Sequence, residues 1–216
     1  MSKKYEIFLF DLDGTITDSA LGITNSVMYA LKKFGIEETD RTKLYKFIGP
    51  PLTESFEKFY GFTKEQSLDG VKYYREYYHD KGIYENRVYD GLEEVLKKIN
   101  EAGKQAIVAT SKPEKYAKII IDHFHLTQYF ACVAGMEMDG GRGTKAQVIT
   151  YVLEKNDITD KSKVLMIGDR EHDVIGAHEN GLDCLGILYG FGSRKEFEEA
   201  GADYIRENVE DILQFV

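Results

Sequence analysis

Cysteine is scarce in this chain of 216 residues, with Cys132 and Cys184 the only two. Neither belongs to a CxxC pair or a histidine-rich stretch, so the sequence offers no disulfide framework and no zinc site of that kind. Both thiols, each in a short apolar segment, are expected free and buried. An excess of positive charge is missing too. The net charge of −9 excludes a nucleic-acid partner held by backbone neutralisation, which needs a basic face. An anionic substrate would have to meet a local cation or basic side chain that offsets this global field. Long hydrophobic runs are absent: the apolar stretch after Met1-Ser2-Lys3-Lys4-Tyr5-Glu6 is far too short for a signal segment or a membrane span. A cytoplasmic protein with no membrane partner is expected. There is no internal repeat, low-complexity tract or disordered tail.

What is present is ordinary for a protein with a sizeable core: 43% hydrophobic and 30% charged residues, in a length that suits one large domain or a core with a modest insertion. The unbroken apolar run Ile7-Phe8-Leu9-Phe10 reads as a strand buried on both faces, residues 105–109, 131–135, 164–167 and 184–188 as further strands, and residues 202–205 as a candidate sixth. Amphipathic helical patterns alternate with them. One places Leu92, Val95, Leu96 and Ile99 on one side, another Tyr116, Ile119 and Ile120, a third Val148, Ile149 and Val152. The glycine-rich residues 136–143 read as a flexible loop. Strands alternating with helices predict a parallel sheet covered on both faces.

Between the first and second strands the texture differs. Residues 23–34 are helical in pattern and end at Gly35. Leu44, Phe47 and Ile48 suggest a short helix broken by Gly49-Pro50-Pro51. Leu52, Phe56 and Phe59 restart the spacing until Gly61, and Thr63 caps a further helix through Leu68, Val71, Tyr74 and Tyr78. Tyr73, Tyr74, Tyr77 and Tyr78, at helical spacing, read as packing residues with their hydroxyls at the surface. The expected organisation is α/β: a Rossmann-like parallel-sheet core of residues 1–16 and 87–216, flanked by helices, with an all-helical cap of residues 17–86 inserted after the first strand. An inserted domain at the carboxyl end of a parallel sheet has an evident use as a lid.

The first strand stops in Asp11-Leu12-Asp13-Gly14-Thr15. Two carboxylates at spacing i, i+2 beyond a buried parallel strand stand where open α/β sheets put their ligands. One suits a nucleophile, its neighbour a proton carrier, and both a hard cation. The second strand leads to Thr110 and Ser111, the fourth to Asp169 and Asp173, and Lys145 opens the helix after the third. All are expected to meet at one sheet edge. Carboxylates gathered there repel one another unless a divalent cation neutralises them, and oxygen-only ligands favour magnesium. Hydroxyls, a lysine and backbone N–H groups would hold an anionic group. The set suits phosphoryl transfer through an aspartyl-phosphate.

Phe10-Asp11-Leu12-Asp13-Gly14-Thr15, Thr110 after a buried strand, and Gly168-Asp169 with Asp173 resemble the motifs of the haloacid dehalogenase superfamily of phosphohydrolases, over nearly the whole chain. The resemblance implies Asp11 as nucleophile, Asp13 as general acid/base, and Thr110 as a phosphoryl-binding hydroxyl. It implies magnesium held by Asp11, Asp169, the Asp13 carbonyl, and Asp173 directly or through water. It also implies that the helical insertion is the family's cap, with Gly49-Pro50-Pro51 its candidate contact to the leaving group. For the family's third motif Lys145 fits without the proline that often follows. Lys112, directly before Pro113, is the other candidate. Arg170 replaces the usual threonine or serine and is expected either to touch the substrate or to flank the metal loop, the second being the favoured reading. His172 reads as a surface or supporting group, and His79, His123, His125 and His178 show no metal-ligand spacing.

The reading that follows is a magnesium-dependent phosphoric monoester hydrolase acting on a small phosphorylated metabolite, phosphoglycolate or a nucleoside 5′-monophosphate, as monomer or homodimer. Two alternatives stay open: a phosphosugar mutase of the same fold, and a receiver-like phospho-acceptor module without turnover. Against the receiver stand the Asp-x-Asp pair and an insertion of about seventy residues that such a module does not need.

Overall fold

In a computed structural model that describes residues 4–137 and 141–216, each unbroken apolar run forms a strand. The chain runs β1 (Ile7–Phe10), β2 (Thr17–Asp18), α1 (Ala20–Lys33), α2 (Leu52–Tyr60), α3 (Lys64–Tyr77), β3 (Arg87–Val88) and α4 (Leu92–Glu101). It continues through β4 (Gln105–Pro113), α5 (Glu114–His123), β5 (Phe130–Met136), α6 (Lys145–Lys155), β6 (Val164–Gly168), α7 (Glu171–Glu179), β7 (Asp183–Ile187), α8 (Arg194–Ala200) and β8 (Tyr204–Arg206). Residues 138–140 of the expected loop at 136–143 lie outside the described residues.

Six strands form one sheet in the order β5-β4-β1-β6-β7-β8, each neighbouring pair parallel. This is the α/β, Rossmann-like sheet flanked by helices. β1 lies in its interior, with Phe10 opposite Val108 on one side and Ile167 on the other. Phe8, Leu9 and Phe10 are fully buried, as a strand covered on both faces must be. Leu9, Ile107 and Met166 pack with Val148, Ile149 and Val152 of α6 and Val174 and Ala177 of α7. The chain winds outward through β4 and β5, then crosses to β6 on the other side of β1. The end of β1 is therefore the switch point at which such sheets open a crevice.

The chain divides into two compact units, one of residues up to Thr17 with those from Val88 on, the other Asp18–Arg87. The second is helical. Besides α1 to α3 it holds a 3-10 segment, Arg41–Phe47, entered at Asp40, whose carboxylate accepts the Thr42 N–H at 3.0 Å. Gly61 ends α2 in the left-handed region, and Thr63 and Gln66 close a capping box over the start of α3. Phe47 meets Phe56 edge-on at a centroid distance of 5.1 Å, and Phe56 stacks on Phe62 at 5.5 Å. The short strands β2 and β3 pair into a ribbon.

The structure departs from expectation at several points. β4 continues through Pro113, so Thr110, Ser111 and Lys112 belong to its irregular end and not to a loop beyond it. Its partner β5 carries the pairing on, with a register shift between Thr110 and Pro113. Tyr74 and Tyr78 are buried, and the Tyr78 hydroxyl is buried too, where a surface hydroxyl was expected. There α3 widens into a π turn, Tyr78–Gly82, which shifts the helical phase. Cys184 is buried as a free thiol, but Cys132 is only half-buried. Among the described residues no helix is long and apolar enough to cross a membrane.

Candidate active site

The backbone after β1 turns at once. Leu12 offers its carbonyl to the N–H groups of Thr15, Ile16 and Thr17, at 3.2, 2.9 and 3.0 Å. The turn passes through Gly14 at φ +85°, where a Cβ would sit 2.1 Å from Oδ2 of Asp169. Only glycine supplies both that dihedral and that clearance. The consequence is that the Asp11–Asp13 turn lies directly against the end of β6. The Asp11 N–H donates to the Ile167 carbonyl at 2.9 Å, continuing the ladder one residue past the strand.

Asp11, Asp169 and Asp173 are buried, and their carboxylate oxygens lie within 4.8 Å of one another. Asp169 follows β6 and accepts the Phe191 N–H at 2.8 Å on Oδ2, while its buried Oδ1 accepts no hydrogen bond among the described residues. Asp173 sits in the first turn of α7, where a carboxylate suits the positive helix end. It accepts the Arg170 N–H at 3.1 Å.

Lys145 closes the group. Thr144 and Gln147 form a capping box that starts α6 at Lys145. From there the ammonium reaches Asp11 Oδ1 at 2.7 Å, Asp173 Oδ1 at 2.8 Å and the Ala109 carbonyl at 3.0 Å. Its stem passes Gly176 of α7, at which a Cβ would lie 2.7 Å from Lys145 Cγ. A second ammonium stands beside it: Lys112 Nζ donates to Asp13 Oδ2 at 2.6 Å. Thr110, buried at the end of β4, accepts the Lys112 N–H on its hydroxyl at 3.2 Å. Ser111 is half-exposed next to it.

The electrostatics follow from this crowding. Burial, with the Asp173 and Asp11 charges behind it, pushes the Asp169 carboxyl well above the ordinary carboxylate range. Burial also raises Asp173, to about 6; Lys145 opposes the rise and Asp11 adds to it. For Lys145 burial works against the charge, but Asp11 and Asp173 together outweigh it and hold the ammonium above the usual lysine value. One ammonium shared between two carboxylates does not neutralise three. The oxygen-only donors, the partnerless Asp169 Oδ1 and the raised carboxylates fit a hard divalent cation such as magnesium.

The structure thus brings Asp11, Lys145, Asp169 and Asp173 into one buried group, with Asp13, Thr110 and Ser111 at the neighbouring strand ends. Other contributors stand out less in the sequence. Lys112 competes there with Lys145 for one role, whereas in the structure Lys112 pairs with Asp13 and Lys145 with Asp11 and Asp173. Gly176 leaves only the weak signal of a lone glycine inside a helical pattern. Tyr189 donates its hydroxyl to the Thr15 carbonyl at 3.0 Å, tying the loop after β7 to the Asp-x-Asp turn. Arg170 pairs through Nε with Glu196 at 2.8 Å, and the same carboxylate oxygen accepts the Glu171 N–H.

A family model described as haloacid dehalogenase-like hydrolase matches residues 8–187. A 5′-nucleotidase of Pseudomonas aeruginosa is 45% identical over 89% of this chain and 87% of its own length. The tyrosine-protein kinase PtkA of Mycobacterium tuberculosis is 35% identical over 87% of this chain, which spans only 63% of that longer protein. A crystal structure of a predicted phosphatase from Clostridium acetobutylicum superposes with a TM-score of 0.93 at 47% identity, covering 98% of each chain.

Proposed function

The chain belongs to the haloacid dehalogenase-like hydrolases, and on that premise we propose that it hydrolyses a small phosphomonoester through a phosphorylated Asp11. The observation that carries this reading is the convergence of the Asp11, Asp169 and Asp173 carboxylates with the Lys145 ammonium at the carboxyl edge of the sheet. A carboxylate held in place by a buried ammonium is a positioned nucleophile.

An Asp11 oxygen attacks phosphorus opposite the leaving alcohol; the new O–P bond forms as the bond to the alkoxide breaks. Asp13 gives its proton to that alkoxide, then takes one from the water that attacks the aspartyl-phosphate, releasing inorganic phosphate and restoring Asp11. Thr110 and Ser111 hydroxyls and Lys145 hold the phosphoryl oxygens. Asp11, Asp169 and Asp173 side chains, with the Asp13 carbonyl, would hold magnesium. When bound, that ion supplies the positive charge that offsets the phosphoryl oxygens.

The leaving group we favour is a nucleoside, ahead of glycolate, because the relative at 45% identity is named for 5′-nucleotides. The test is phosphate release from 5′-nucleotides, phosphoglycolate, sugar phosphates and pyrophosphate, with magnesium and with chelator, beside Asp11→Asn. Magnesium-dependent release that Asp11→Asn lowers by at least ~10²-fold is expected. No release from any compound refutes the hydrolase, and rearrangement of a sugar phosphate without net release would identify a mutase instead.

A further inference from the structure

Lys112 is unassigned by the reaction above, yet its environment is specific. The register shift between Thr110 and Pro113 in β4 carries its side chain inward, where it is only 6% exposed. Burying an ammonium is costly without a partner, and the partner here is Asp13, itself 12% exposed, at 2.6 Å. The contact spans 99 residues of sequence, from one side of the β1–β4 pair to the other. Within the Asp13 carboxylate the contact is to Oδ2. Oδ1 of the same carboxylate is buried and accepts no hydrogen bond among the described residues. The two oxygens of Asp13 are thus unlike: one is pinned by a charge-assisted bond, the other is left over.

We propose that Lys112 is a positioning residue for the proton carrier, fixing the Asp13 carboxylate through Oδ2 so that Oδ1 alone delivers the proton to the leaving oxygen and later removes one from water. The inference rests on Asp13 acting as general acid/base, as set out above. Lys145 anchors the nucleophile and Lys112 the proton carrier. Two ammoniums from two different elements therefore hold the two carboxylates of one Asp-x-Asp turn in separate attitudes. Proton transfer demands a carboxylate oxygen within hydrogen-bond reach of the leaving atom, and a carboxylate free to rotate about its side-chain bonds spends less time there.

The experiment compares kcat/KM, which reports steps up to the first irreversible one, for two kinds of ester. An alkyl phosphate (5′-AMP or phosphoglycolate, whichever is turned over faster) needs a proton on its leaving oxygen, whereas p-nitrophenyl phosphate releases a stable phenolate without one. Lys112→Met is expected to lower kcat/KM about tenfold more for the alkyl ester than for p-nitrophenyl phosphate, a part of the ~10²–10⁴ that a general acid contributes. Asp13→Asn should show the same selectivity more strongly. Lys112→Met placed in the Asp13→Asn background should then add none. Lys112→Arg, which retains a donor for Oδ2, should recover most of the alkyl activity, and it carries the comparison if Lys112→Met does not fold. An equal loss on both esters would mark Lys112 as a phosphoryl-binding or merely structural charge and overturn the proposal, as would no loss on either. If Asp13→Asn itself shows no selectivity, the general-acid assignment of the preceding subsection fails, and the role of Lys112 falls with it.

Discussion

A buried carboxylate that serves a metal should weaken the metal-free protein, and Asp173 allows the size of this effect to be worked out. Its folded pKa of about 6 stands against an ordinary 3.8. A difference of about two units corresponds to ~3 kcal/mol. Between those values the folded chain still holds the proton that the unfolded chain has lost. Stability therefore falls as pH rises through the window. Asp169 acts in the same direction. In urea titrations with chelator, the unfolding free energy should drop between pH 5 and 7.5 by about half of that ~3 kcal/mol from Asp173 alone, the rest being lost below pH 5. Asp173→Asn, fixed in the uncharged form, should be flatter across this range and more stable than the parent at pH 7.5 by about 3 kcal/mol. The same variant should lose activity. In saturating magnesium the parent should gain more stability than the variant, because a ligand that binds only the folded form stabilises it by mass action. A chelated parent as stable at pH 7.5 as at pH 5, or an Asp173→Asn protein less stable at pH 7.5, would refute the account of the cluster.

Two further outcomes test the lysine side of the site. Lys145→Met leaves Asp11 and Asp173 buried without their shared ammonium, and should lower the chelated unfolding free energy at pH 7.5 by about 3–5 kcal/mol, measured by denaturant titration. Gly176→Ala would ordinarily stabilise a helix by up to ~1 kcal/mol. Here the new Cβ would stand 2.7 Å from Lys145 Cγ and 3.1 Å from the Ala146 nitrogen. A lower melting temperature with reduced kcat is expected.

The sheet is legible in the sequence because its strands are covered on both faces. Phe8-Leu9-Phe10 and Val164-Leu165-Met166-Ile167 have no polar face to blur the pattern. The same property places Asp11 and Asp169 at one edge, since in a parallel sheet every run ends toward that edge. What resists reading is what depends on a neighbour. The continuation of β4 through Ser111-Lys112-Pro113 is set by β5 beside it, and nothing local in a Thr-Ser-Lys-Pro string announces a strand. Lys112 and Lys145 look alike on the page, because the destination of an ammonium at the end of a four-carbon stem is fixed by the fold and not by the spacing of motifs. The ribbon of β2 and β3 escapes notice for a similar reason: two residues carry no periodicity.

That ribbon bears on how the chain reaches its fold. Pairing Ile7 with Gln105 asks an unfolded chain to close a loop of roughly a hundred residues before any contact rewards it, and such long-range parallel pairing slows folding. The helical unit can shorten the search. Its two ends are joined by Arg87, whose Nε and Nη2 both donate to Asp18 Oδ2 at 3.1 Å across 69 residues. Once residues 18–87 have folded on their local helical contacts, roughly thirty residues of free chain separate the two strands, which lowers the closure entropy by ~1 kcal/mol. The insertion that parts β1 from β4 in sequence thereby becomes the element that delivers one to the other, and mutations that loosen its ends should slow the assembly of a sheet they do not touch.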